Sequence, residues 1–155
     1  MIQRIQTLYL FIALCAAVLL FFFPFAKYFT GGGEHLEFML TGMFRVSEDI
    51  RTLEMVPILM LSLHIVIAIL IFVSIFMFKK RVTQMRVVAI AFLLNAILIG
   101  TIFYFSDKFG EAYSVQPNYK NIGTLLPVLM LIMLLIANKA IRKDEVKMRK
   151  SSRIR

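Results

Sequence analysis

Marked for charge alone, the chain divides into four uncharged stretches, 5–26, 55–78, 87–106 and 121–138, of 22, 24, 20 and 18 residues. At 1.5 Å rise per residue these measure roughly 27 to 36 Å as helices, against a hydrocarbon core of about 30 Å. A spanning strand would be about 10 residues long with alternating polarity. Runs such as LHIVIAILIFVSIFMF show no such alternation. The pattern therefore predicts an all-α integral membrane protein: one membrane domain over 1–155, built as a four-transmembrane-helix bundle, with an extracytoplasmic loop at 27–54 and a basic cytoplasmic tail at 139–155.

The polar intervals predict the connections. In 27–54, TGGGE is flexible punctuation. After it Leu36, Phe38 and Leu40 alternate with His35, Glu37 and Met39 before Thr41-Gly42, the pattern of a short β-hairpin on the membrane face. Ser47 followed by Glu48 and Asp49 resembles a helix start, with negative charge at the positive end of the dipole. A helix from about Glu48 into the second span is expected, kinked or restarted at Pro57. The interval 79–86 allows only a tight turn. In 107–120, Tyr113 and Tyr119, with nearby Tyr104, fit an interfacial aromatic belt. In the tail, Arg142 with Glu145, Asp144 with Lys147 and Glu145 with Arg149 fall at helical pair spacings, extending the fourth helix by about two turns.

Composition agrees with a membrane location. Apolar residues make up 60% and charged residues 17% of the 155, with a mean hydropathy of +0.82, whereas soluble domains run about 45 to 50% and 25%. The first apolar stretch follows a basic MIQR, as a cleavable signal would, but it closes in FFFPFAKYF, where small residues would be needed. A retained helix is expected. Cys15 is the single cysteine, so no disulfide framework or Cys-rich metal site can form within the chain. Leu14 before it argues against a lipoprotein site.

Charge supplies an orientation. Of eighteen Lys and Arg, thirteen lie in the N-terminus, 79–86 and the tail, and five lie in 27–54 and 107–120. The positive-inside rule then puts both termini in the cytoplasm of a multi-pass protein of a bacterial inner membrane. The net charge of +9 and pI near 10 are absorbed by topology. No helix-turn-helix, zinc-finger or RNA-recognition signature accompanies the basic runs, so no nucleic acid is expected as partner. Arg4, Lys79, Lys80, Arg81, Arg86, Arg142 and Lys143 are instead expected to meet anionic lipid head groups or other membrane-protein subunits.

Candidate chemistry is sparse. His64 is the one His, Asp, Glu, Lys or Arg within any of the four stretches, and an intramembrane ionisable group is a functional hypothesis by default. By depth its polar neighbours are Ser62 and Thr101, with Asn95 deeper. The plainer reading is a neutral imidazole acting as interhelical glue, since a proton relay needs a second acid or base. Asn95 and Asn138 read as glue and interface residue respectively. Met39, Met43 and Met55 could ligate soft Cu(I), but without Cys or clustered His the case is thin. His35 with Glu34 and Glu37 is more often a solvated loop than a site. Walker, HExxH, GxSxG and CxxC motifs are absent. No catalytic residue, metal site or cofactor is predicted.

Three segments, MIQRIQTLYL, SIFMFKKRVTQMR and LPVLMLIMLLIANKAIRKDEVKMRKSSRIR, resemble an uncharacterised bacterial inner-membrane family, domain of unknown function 4293. The resemblance covers essentially the whole chain, and the close VKMRKSSRIR is more basic than the family pattern. It implies four helices with both ends inside and no activity. The expected function is thus a non-catalytic accessory or scaffold subunit of a larger membrane complex. The alternative is a small transporter or proton-linked carrier centred on His64 and Asn95, and a weaker third is an envelope interaction through the loop 34–46.

Overall fold

The structure is a computed structural model and describes residues 3–29, 34–47 and 50–152. In chain order it contains α1 (Gln3–Leu19), β1 (Ala26–Phe29), β2 (His35–Met39), β3 (Gly42–Ser47), β4 (Ile50–Met55), α2 (Ile58–Phe76), a 3-10 turn (Met77–Lys79), α3 (Arg81–Tyr113) and α4 (Ile122–Ser152). The all-α, four-span expectation is therefore wrong: a four-stranded antiparallel sheet accompanies the helices. Among the described residues three helices are long and apolar enough to cross a membrane, α2, α3 and α4 over Ile122–Val146. The first, apolar over Ile5–Leu19, is shorter.

The physical reason for the first discrepancy lies in FFFPF. Proline disfavours helical backbone in the residue before it, and the chain leaves α1 five residues ahead of Pro24. Phe21 and Phe22 donate to the carbonyls of Val18 and Leu19, three residues back, which tightens the end of the helix. The end of the apolar stretch then becomes β1. A second discrepancy lies at Ile50–Met55, expected as helix and found as strand. Glu48 and Asp49, on which that expectation rested, lie outside the described residues, as do the glycines of TGGGE.

The sheet is a meander, β1-β2-β3-β4. Residues predicted as a hairpin form its middle: Met39 pairs with Gly42 across Leu40-Thr41, and Phe38 pairs with Met43. Ser47 pairs with Ile50, and a bulge at Met43/Phe44 shifts the register toward β4. Gly42 faces that shift. A Cβ there would approach the Met55 carbonyl to 2.8 Å, so glycine permits the close backbone approach. The two edges differ. Lys27 in β1 exchanges both backbone hydrogen bonds with Asn118, at 3.1 and 2.9 Å, whereas β4 pairs, among the described residues, only with β3 and all six of its residues are exposed.

The helices close a ring in which α1 and α3 each pack against both α2 and α4. Their buried faces follow three-and-four spacing, as helical stripes do. In α2 these are Met60, His64, Ile67, Ile71 and Ser74. In α3 they are Gln84, Val88, Ala91, Asn95, Leu98, Ile102, Ser106 and Phe109. At 33 residues α3 is roughly 50 Å long, well beyond a hydrocarbon core. Its last turns carry the sheet: Phe38 meets Phe109 edge-on at 5.2 Å and the Tyr28 hydroxyl reaches Ser106. Asp107, Lys108 and Glu111 were expected in a loop, but α3 runs past them to Ser114, which takes the left-handed conformation and donates to Gly110 and Glu111. The opposite end of α4 continues to Ser152, farther than the two turns the charge spacings suggest.

Candidate functional site

Each helix pair in the ring is joined by one buried polar side chain that reaches a backbone carbonyl of its neighbour. His64 Nε2 lies 3.0 Å from the Ala17 carbonyl, pinning α2 to α1. Gln84 Nε2 donates to the Ser74 carbonyl at 2.9 Å, pinning α3 to α2. Asn95 Nδ2 donates to the Pro127 carbonyl at 2.9 Å, pinning α3 to α4. Gln6 Nε2 reaches the Ala140 carbonyl at 3.4 Å and also the Asp144 carboxylate, pinning α1 to α4. The Ala17 carbonyl lies at the end of α1, where Phe21 donates to Val18 instead, so His64 meets an acceptor that the helix end leaves open. The Ser74 carbonyl accepts from Met77 and has a second lone pair free, as helix-interior carbonyls do. These contacts therefore add interhelical bonds without unmaking helical ones.

The four predicted intramembrane candidates do not converge. His64 is fully buried with Phe21 edge-on at 5.3 Å. Ser62 and Thr101, expected as its neighbours, are exposed and half-buried respectively and bond back to their own helices, to the carbonyls of Leu59 and Ile97. Both lie off the buried stripes. Asn95 reaches α4, on the other side of α3 from α2. His64 Nδ1 and Asn95 Oδ1 are buried without a partner among the described residues. The sequence reading missed Gln6 and Gln84 because the first stands two residues after Arg4 and the second lies within the basic interval 79–86. Their phase was the available signal: Gln84, Asn95 and Ser106 recur every eleven residues, three helical turns, on one face of α3.

At the basic end of the ring the cationic residues fall into three places. Arg86 and Arg142 share a groove between α3 and α4 of about 560 Å³, together with Lys139, Asn138, Phe92 and Leu135. Lys80 and Arg81 line a separate depression with Glu145 and Met148. Lys143 faces α1, in a groove of about 420 Å³ that also holds Gln6 and the buried Asp144. The side chains of Arg4 and Lys79 lie outside the described residues. Asn138 Oδ1 is buried without a partner in the α3–α4 groove.

At the sheet end, the outward sheet face carries a charge cluster centred on Glu37, with Lys27 at 2.7 Å, Arg51 at 3.5 Å and His35 at 3.8 Å. Arg51 also lies over the Phe44 ring at 4.0 Å. On the inward face Arg45 pairs with Glu54 at 2.7 Å and Tyr113 donates to Glu54 at 2.5 Å. These donors, Tyr113 foremost, hold the Glu54 carboxyl below its usual range. Burial pushes the Tyr28 phenol up to about 12.

A family model described as Domain of unknown function (DUF4293) matches residues 2–154. The chain belongs to that family. No curated protein matches it. For this DUF4293 chain, the geometry offers two surfaces able to receive something else, the open edge of β4 and the basic groove between α3 and α4. Gln6, His64, Gln84 and Asn95 are engaged in holding helices together.

Proposed function

We propose that this DUF4293 protein is a non-catalytic accessory or scaffold subunit of a larger complex in a bacterial inner membrane, with both termini and the basic end in the cytoplasm. The observation that carries the reading is the contrast between the two sheet edges. An open edge is a template for another chain's strand, and natural proteins usually cover, charge or shorten it. Here β1 is closed by Asn118, while β4 exposes six residues, including Ile50, Leu53 and Met55. Val56, Ile58 and Leu59 continue this exposed apolar strip toward the membrane. The excess of Lys and Arg at the far end supports the orientation.

A photo-crosslinking residue at Ile50, Leu53 or Met55 in intact cells tests the partner reading. The expected result is one and the same membrane protein crosslinked from all three positions, and none from Leu93 on the helix surface. Three unrelated product sets, or none, would overturn it. Orientation is tested separately by a cysteine at Thr41, expected to be labelled from outside the cell, and one at Lys80, expected to be shielded.

The second reading is a small transporter or proton-linked carrier centred on His64 and Asn95, and it draws on their two unpartnered atoms. His64→Phe and Asn95→Leu should then abolish a flux. Unchanged flux and growth across pH would leave these residues as glue.

A further inference from the structure

The groove between α3 and α4 differs from the others at the basic end in what its rim and floor carry. Arg86 immediately precedes the uncharged stretch 87–106 and Lys139 immediately follows 121–138. Both therefore sit at the depth where apolar helix surface gives way to head groups. Arg142 stands three residues beyond Lys139, on the same face of α4. No described acid lines this groove, and none ion-pairs with these three cations among the described residues. The neighbouring α1–α4 groove holds the Asp144 carboxylate and shares Lys139 with this one, whereas Arg86 and Arg142 line the α3–α4 groove alone. Below the cations the walls are apolar, with Phe92 and Leu135, and Asn138 leaves a buried amide oxygen without a donor.

We propose that this groove is a specific site for one anionic glycerophospholipid. The phosphate sits among Arg86, Lys139 and Arg142, and one acyl chain lies along Phe92 and Leu135. Charge complementarity selects the anion, since an unpaired cation cluster at the head-group layer attracts acidic lipid. The apolar wall distinguishes a lipid from a soluble phosphate compound, which would leave it unfilled. The inference rests on the membrane location and not on a partner at β4.

Native mass spectrometry of the full chain, released from micelles containing phosphatidylglycerol and phosphatidylcholine in equal amounts, tests it. The expected result is one retained phosphatidylglycerol, preferred at least tenfold. Each of Arg86→Gln, Lys139→Gln and Arg142→Gln should weaken retention about fivefold, equivalent to about 1 kcal/mol per cation, and the triple variant should show no preference. Lys80→Gln with Arg81→Gln should keep the preference. Should the triple variant fail to fold, Leu135→Trp, which fills the acyl track and leaves the charges intact, should still reduce retention. Equal binding of the two lipids, an unchanged preference in the charge variants, or displacement by millimolar glycerol phosphate would each overturn the proposal.

Discussion

Replacing Tyr28 by Phe tests how the sheet is fastened to the helices. The Tyr28 side chain is wholly buried, and its hydroxyl donates to the Ser106 carbonyl at 2.9 Å while lying 2.8 Å from Ser106 Oγ, which can donate in return. Phenylalanine keeps the ring packing and removes both bonds. A buried hydrogen bond contributes about 1 kcal/mol net, and the freed Ser106 hydroxyl can turn to its own helix, so the expected loss is about 1 to 2 kcal/mol. Most of that loss falls on the docked sheet, so amides of β2 should exchange about 5- to 30-fold faster near neutral pH, read by hydrogen–deuterium exchange.

The same residue sets a pH signature. Burial raises the phenol from 10.0 to about 12. A raised folded-state value means the stabilisation is complete below pH 10 and is lost as pH climbs through about 12. Two pKa steps correspond to at most about 2.7 kcal/mol. Melting in detergent should therefore fall more steeply for the wild type than for Tyr28→Phe above pH 10, and the two curves should converge. Parallel curves, or unchanged β2 exchange in the variant, would refute the assignment of Tyr28 as the fastening.

Gly123→Ala should cost at least about 2 kcal/mol, seen as lost melting temperature or yield, because the new Cβ would overlap the Pro24 carbonyl and meet the Phe23 carbonyl at 2.8 Å, and backbone cannot yield cheaply. Asn95→Leu should cost no more than about 1 kcal/mol in the same assay, in line with interhelical hydrogen bonds within membranes; a much larger loss would mean Asn95 does more than bind Pro127. Glu54→Gln should remove an acid sensitivity of the β3–β4 pair. The Glu54 carboxyl is held below 4.5 by Tyr113 and Arg45, so that contribution is present above pH 4.5 and lost as pH falls through the lowered value. Exchange rates of β4 amides measured down the acid range check this.

The apolar helix cores were legible because length and uniform hydrophobicity are local properties that a membrane demands of each segment separately. The sheet was less so, because a strand is stabilised by what lies beside it. Residues 26–29 look like the aromatic end of a span until Ala26 is paired with Phe38. Residues 50–55 follow a polar Ser-Glu-Asp run that reads as a helix start, and only the pairing with β3 decides otherwise. The boundary of α3 was misplaced for a different reason: Asp107 marks where a helix leaves hydrocarbon, not where it stops. Among the polar candidates, stripe phase separates His64 and Asn95 from Ser62 and Thr101, and depth alone does not. The union of Arg86 with Lys139 and Arg142 needed the antiparallel packing of α3 on α4.

The closure of β1 by Asn118 has a bearing on stoichiometry. A sheet open at both edges can propagate without limit, whereas this one, among the described residues, leaves a single edge open. If the added strand belonged to a second copy, a two-fold axis would generate an eight-stranded sheet, terminated at each end by the Asn118 bridge. Should it belong to a different subunit, the count is one such strand for each copy of the protein. Either way the geometry selects a discrete assembly over a fibre.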